Sequence, residues 1–324
     1  MIPHIFITGA TGYVGGDFLH VITAAHPEWK ISALVRNSEK AAKLISEYPT
    51  IRIVAGDFDS VSLIEEEVKD ADIVFQIADC DHTGVASAIA KGATHHTTDR
   101  PCWVIHASGT ASFIFEDMRE KTCGIERTKE YNDWDGLHEL LNLPDDACHR
   151  DVEKIILAAG QMDPQRIKTA ILSPPTVHVH DLSDLFLLLG EAAAAGGGNA
   201  TWGNEGYYLS EMGSYAWGDV SRAIAQVACE KGYIPTAEVT NLEENEPVGE
   251  TLGYGSLMWG SNSRGTSIRA RKLLGWTPKR PTLLEEIPGI VDGQARALGI
   301  AALGGFKSLT SSDALMSVGL GVAL

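Results

Sequence analysis

Apolar positions along the first half of the chain alternate between two periods. Ile5-Phe6-Ile7 is a short continuous apolar run. After it, Val14, Phe18, Val21, Ile22 and Ala25 keep helical spacing. The same succession then repeats. Residues 31–35 predict a second strand, and Ser38 caps a helix carrying Ala41, Ala42, Leu44 and Ile45. Residues 51–54 predict a third strand, and Ser60 caps a helix through Val68. Residues 73–77 are almost all apolar, as in a parallel strand buried on both faces. A helix over 85–91 and a strand over 102–106 follow. A polar excursion, Glu116 to Pro144, interrupts the alternation. A helix over 146–159 then buries Val152, Ile155, Ile156 and Ala159, and a sixth strand over 169–172 ends at Ser173-Pro174-Pro175. This order predicts an α/β fold: a Rossmann-like, doubly wound parallel sheet with right-handed crossovers.

The second half is less regular. Residues 182–195 form an apolar helix stopped by Gly196-Gly197-Gly198. Residues 207–209 read as a short strand. Helices over 217–231 and 269–274 stop at Gly232 and Gly275. The tail from Gly304 is small, Ser-rich and weakly patterned, and reads as mobile. The expected division is a nucleotide-binding domain over 1–176 and a smaller, partly interleaved part over 177–324, comprising a returning strand, a substrate side and the tail.

Composition narrows the class. The 324 residues are 44% hydrophobic, enough for a substantial core. No stretch is long and apolar enough to span a membrane. The five cysteines are scattered without a Cys-x-x-Cys pair, which argues for reduced thiols in a cytoplasmic compartment. A net charge of −17 argues against a nucleic-acid surface. It also means that any anionic ligand must be held by local features against the global field.

The local feature is the turn after the first strand, Thr8-Gly9-Ala10-Thr11-Gly12-Tyr13-Val14-Gly15. Gly9 permits the tight turn, Gly12 lets backbone approach a pyrophosphate, and Gly15 lets the helix pack on the strand. The free N–H groups of the helix N-terminus attract the anion. Thr11, Tyr13 and Val14 belong to the same cradle. After the second strand stands Arg36, where dinucleotide folds that prefer NAD place an acid. A cation there suits a 2′-phosphate, so NADP is expected, with NAD as the alternative. Asp57-Phe58 fits an adenine edge and face, and Ile77-Ala78 the wall beneath the adenosine and pyrophosphate.

With Leu34-Val35-Arg36, Gly56-Asp57-Phe58, Ile105-His106-Ala107-Ser108-Gly109-Thr110 and Ser173-Pro174-Pro175-Thr176 added to the glycine turn, the chain resembles extended or atypical short-chain dehydrogenases/reductases. It is similar to the epimerase/dehydratase-like and NmrA-like fungal proteins. The resemblance runs over residues 2–298. His178-Val179-His180-Asp181-Leu182, Asn262-Ser263-Arg264 and Leu273-Leu274-Gly275-Trp276 support it. The first motif is specific to the superfamily, and the others are weak singly.

That resemblance implies a serine after the fifth strand and a Tyr-x-x-x-Lys on the next helix, four residues apart so that both share one face. Ser108 matches the serine. His149 stands in place of the tyrosine and Glu153 in place of the lysine. Lys154 is one residue on, about 100° away around a helix. An imidazole titrates near working pH and can serve as general acid or base. Glu153 can accept hydrogen bonds from a ribose, and Pro174 closes the cofactor side. The bland alternative is that His149 is merely a polar residue at a helix start. Tyr131 is a third candidate, which spacing does not bring near Ser108. The segment that follows the Pro-Pro-Thr loop in the resembled family is missing after Thr176, so the pocket is expected to be open, reshaped or non-functional. His178-x-His180-Asp181 invites a metal reading, but the run matches a strand of the family and no further ligand is placed near it. No metal site is expected.

Three function classes follow from the resemblance. The first is an NAD(P)-dependent oxidoreductase, with hydride transfer to or from a small aldehyde, ketone or alcohol. The second is a non-catalytic NADP(H)-sensing regulator with a protein partner. The third is a nucleotide-sugar epimerase or dehydratase, which the shortened pocket disfavours. A homodimer is left open, and neither nucleic acid nor membrane is an expected partner.

Overall fold

A computed structural model describes residues 2–241 and 254–300. The strands are β1 (His4–Thr8), β2 (Lys30–Val35), β3 (Arg52–Ala55), β4 (Ile73–Gln76), β5 (Cys102–Ala107), β6 (Tyr131–Asn132), β7 (Ile167–Ser173), β8 (Tyr207–Leu209) and β9 (Gly265–Thr266). Seven of them form one parallel sheet in the order β3-β2-β1-β4-β5-β7-β8. The order reverses between β1 and β4, which opens a crevice at their carboxyl ends.

Helices cover both faces. On one lie α1 (Tyr13–Ala25), α2 (Ser38–Glu47) and α8 (Val179–Ala194); on the other lie α3 (Val61–Asp70), α4 (Thr83–Ala93) and α7 (Arg150–Met162). Phe18 of α1 packs 4.5 Å from Phe75 of β4 and 5.5 Å from Phe186 of α8, ring centre to ring centre. Short helices α5 (Phe115–Glu120) and α6 (Leu137–Leu141) lie in the polar excursion. Beyond β8 come α9 (Trp217–Glu230), α10 (Tyr254–Gly260), α11 (Arg269–Leu274) and α12 (Leu283–Ala297). The helices α9 and α12 pack their own small core through Val220, Ala228, Ile287 and Val291.

Two buried carboxylates tie the excursion to the far end of the chain. Asp133 accepts hydrogen bonds from the backbone N–H groups of Leu209, Ile268 and Arg269. Asp117 accepts from the Asn262 N–H and the Arg127 guanidinium. Between these anchors β6 pairs with β9.

Several local expectations need correction. Asn37, not Ser38, caps α2, because its side chain accepts from Lys40 N. Residues 146–149 are not helical: α7 starts at Arg150, and His149 is its cap in a left-handed conformation, φ 63°. The run after Thr176 is not a returning strand. His178 Nδ1 accepts from His180 N and starts α8 directly. Asp181 then receives the N–H groups of Lys279 and Arg280, fastening the C-terminal segment to the sheet. Both α8 and β8 lie past residue 176 and pack into the main layered body. The tail from Gly304 lies outside the described residues.

One row of the sheet is polar and sealed. Thr8 pairs in register with Gln76, and Gln76 with His106. All three are fully buried, and neither ring nitrogen of His106 has a hydrogen-bond partner among the described residues. Burial, with a smaller contribution from the His149 charge, lowers the His106 pKa to about 3. In the unfolded chain a histidine titrates near 6.5. Between those values the unfolded chain takes up a proton that the fold refuses. This share of stability is therefore complete above pH 6.5 and falls as pH drops toward 3, by up to about 1.4 kcal/mol per pH unit. Urea denaturation between pH 7 and 4 should show a shallower loss for His106→Leu, by about one proton. Equal slopes for variant and wild type would refute the assignment.

Candidate active site

The crevice at the switch point is a cleft of about 550 Å³. Its floor is the turn from β1 into α1. Gly9 has φ 85°, and a Cβ there would sit 2.8 Å from the Ile77 carbonyl and the Ala78 nitrogen. A Cβ on Gly15 would lie 2.2 Å from the Gly9 oxygen. Gly12 caps α1 with extended backbone and no side chain, and no acid stands in the first turn. The first amides of α1 are therefore free to meet an anion. Gly9 and Gly15 have no room for a side chain, and the shape of the cradle fits a dinucleotide pyrophosphate.

Gly9, Gly12, Tyr13, Val14, Gly15, Ile77, Ala78, Ser108, His149 and Pro174 all line the cleft. Thr11 is half-buried in the turn, outside that lining. Arg36 and Asp57 follow the paired residues Val35 and Ala55 at the ends of β2 and β3, and both are exposed. The Asp57 carboxylate is engaged by Ser60 Oγ and Asp59 N. The Phe58 ring packs edge-on against His82, the cap of α4.

Beneath Ser108 lies a sealed polar cluster. Ser108 Oγ donates to Glu153 Oε1 at 2.6 Å, Tyr207 OH donates to the same oxygen at 2.8 Å, and Arg150 Nη1 is 3.5 Å from Oε2. Glu153 is 0% exposed. Burial pushes its carboxyl pKa up, opposed by the Ser108 and Tyr207 hydrogen bonds and the Arg150 charge. Burial likewise pushes Tyr207 well above the usual phenol range, with the Glu153 charge adding to it. The ribose contact expected of Glu153 does not fit this placement, because its oxygens face inward. Tyr207 and Arg150 escaped the sequence reading. Tyr207 reaches the cluster only through the register of Ile171 with β8, and no local pattern encodes that.

His149 turns its ring into the cleft. Nδ1 lies 2.7 Å from Asp81 Oδ1 and 3.3 Å from Cys80 Sγ. Nε2 is buried against Gly109, where a Cβ would lie 2.6 Å away, and it has no hydrogen-bond partner among the described residues. The Cys80 pKa is pushed up to about 12, first by burial and then by Asp81 and Asp79. Lys154 points to the surface and pairs with Asp145. Tyr131 is buried in the core, stacked on Phe113. His178 pairs with Glu286 and His180 with Asp17.

A doubly wound sheet with a glycine cradle at its switch point defines a dinucleotide-binding Rossmann protein. A family model described as the NmrA-like family matches residues 2–98. "Oxidase ucsJ" of Acremonium sp is 30% identical over 349 residues, covering 93% of this chain and 100% of the relative. An uncharacterized protein of Saccharomyces cerevisiae is 22% identical and covers 87% of this chain. Among solved structures, yeast methylglyoxal/isovaleraldehyde reductase complexed with NADPH is 14% identical. It has a TM-score of 0.57, covering 92% of this chain and 100% of that one. UDP-glucose 4-epimerase from Thermotoga maritima is 10% identical with a TM-score of 0.61, covering 91% and 99%. The chain belongs to the same family as the Acremonium relative; its first 98 residues match the NmrA-like family model, and the solved structures share its fold. Its alignment with the Acremonium relative is longer than the 324 residues of this chain, so part of that relative has no counterpart here.

Removing one member of a buried ion pair strands the other. Glu153→Ala should cost roughly 3–5 kcal/mol, because the Arg150 guanidinium stays buried without a counter-charge. Adding Arg150→Leu should recover part of that loss. Urea unfolding of both single variants and the double variant measures the coupling, and strictly additive losses would contradict the pairing.

Proposed function

We infer that the chain is an NAD(P)-dependent oxidoreductase acting on a small alcohol or carbonyl compound, with NADP preferred. The observation that carries the reading is His149, an imidazole held by a carboxylate in the same cleft as Ser108 and the glycine cradle. The Acremonium relative, named an oxidase, supports the same class. Gly9, Gly12 and Gly15 with the α1 amides would hold the pyrophosphate, Ile77, Ala78 and Pro174 the walls, and Arg36 a 2′-phosphate. The bound nicotinamide would give or take a hydride at the substrate carbon.

The chain's own groups favour one direction. Ser108 spends its hydroxyl proton on Glu153, so toward the cleft its oxygen can only accept. An acceptor suits an alcohol O–H better than a carbonyl oxygen. Asp81 is an acceptor as well, so Nδ1 carries the imidazole proton and Nε2 is the basic nitrogen; Nε2 is buried against Gly109, so the ring has to turn before it meets a substrate hydroxyl. A base beside a hydrogen-bond acceptor suits removal of an alcohol proton.

A second reading has its own support. Glu153 in place of a lysine removes the positive charge that helps a tyrosinate form, and Ser108 is already occupied. A nucleotide-sensing regulator needs only the cradle.

Fluorescence titration with NADPH and NADH, followed by turnover over a panel of alcohols, aldehydes and ketones, separates the two. Turnover should fall roughly 100- to 10,000-fold in His149→Ala. Nucleotide binding without any turnover that this variant alters would favour the regulator. Absence of binding would sink both. Arg36→Ala should weaken NADPH far more than NADH, and equal losses would remove the preference for NADP.

A further inference from the structure

The loop after β4 and the cap of α7 bring together three side chains of metal-binding type. Cys80 Sγ and Asp81 Oδ1 lie 3.3 and 2.7 Å from His149 Nδ1. The three ligand atoms all fall within 4.8 Å of one another, the one such group among the described residues. A tetrahedral ion bound at about 2.0–2.3 Å keeps its ligand atoms about 3–4 Å apart. The triangle therefore needs little adjustment, and Asp81, with its side chain 63% exposed, is free to make it. The geometry points to a binding site for a divalent transition-metal ion of the zinc type, formed by Cys80, Asp81 and His149, with its remaining position open to the cleft.

The chemistry of the set and of its surroundings agree. Thiolate, imidazole and carboxylate together select Zn²⁺ and its neighbours over Mg²⁺ and Ca²⁺, which take oxygen ligands. Among the described residues no lysine or arginine lines the cleft, whereas Asp79 and Asp81 both do. The local field thus attracts a dication. All three side chains also line the cleft, so the ion would have a route in from solvent.

Binding exchanges the Cys80 thiol proton for the ion. The Nδ1 proton of the imidazole moves to Nε2, and Asp81 exchanges its imidazole hydrogen bond for the metal. His149 is then neutral, with no free lone pair. Metal binding and proton removal at His149 are mutually exclusive, so Zn²⁺ should inhibit turnover. This consequence rests on the oxidoreductase reading, whereas the site itself does not.

The test uses the full chain, freed of metal and titrated with Co²⁺. Wild type should take up one ion per chain and show a thiolate-to-cobalt absorption band. Cys80→Ser should abolish the band, and Asp81→Asn, at an exposed carboxylate, should weaken binding by about tenfold or more. Cys123→Ser, at an exposed cysteine elsewhere, should change neither. Absence of a band in wild type, or a band that survives Cys80→Ser, overturns the site. Zn²⁺ inhibition is read separately. A protein with the cobalt band but no turnover loses the oxidoreductase reading and keeps the metal site. Turnover that Zn²⁺ leaves intact at saturation removes only the exclusion at His149.

Discussion

A carboxylate with no access to water sets the geometry beneath the cleft. Glu153 collects the hydroxyls of Ser108 and Tyr207 and faces the Arg150 guanidinium. Its partners come from the end of β5, from β8 and from α7 itself. Ionised carboxylates are costly to bury unless they are paired and hydrogen-bonded. The cluster therefore forms as a unit, and it fixes where α7 starts relative to the sheet. That start places His149 at the cleft. The chemistry available to Ser108 is set by the same contact, because its proton is already committed downward.

The second constraint is charge. The chain carries a net −17, and aspartates border the cleft. An anionic ligand there is opposed by the global field and must be held by oriented amides. The glycine geometry makes those amides available. Gly15 permits α1 to pack against the turn, and the absent side chain of Gly12 leaves the helix end uncovered. Arg36 stands exposed just past the end of β2, outside the cleft lining. The glycine cradle and the His149 side chain thus occupy separate parts of one crevice.

The sheet was largely legible in the sequence, because buried parallel strands read as apolar runs and each βα unit carried its own cap or turn. The glycine cradle was legible for the same reason: its residues are local, and each glycine answers one steric demand. Ser108 and His149 came from a resemblance, and both line the cleft. What could not be read depended on long-range packing. The run His178 to Leu182 is too short for its period to separate strand from helix, and the capping bond from His178 decides it. Glu153 looked available to a ribose, because nothing local announces Tyr207 above it. Cys80 and Asp81 carried no periodic signal at all. The fold alone carries them to His149, 68 residues beyond Asp81.

The phase of α7 decides what kind of site this is. One residue on a helix is about 100° of rotation. Lys154 therefore points to the surface and Asp145, while Glu153 points into the core. A lysine placed one residue earlier would set a cation where the carboxylate now is, against Arg150 and the hydroxyl donors Ser108, Tyr207 and Ser112. The inward position has been built for an anion. His149 fits the same logic from outside the helix. As a left-handed cap it leaves the helical face altogether, and its ring reaches Asp81 and Cys80 only because Gly109 leaves room beside Nε2. A tyrosine and lysine one turn apart would share the face of one helix. Here the two positions diverge, one into the cleft and one into the core. His149 accordingly stands with Asp81 and Cys80 of the loop after β4, and the helix contributes the buried carboxylate that holds Ser108 in place.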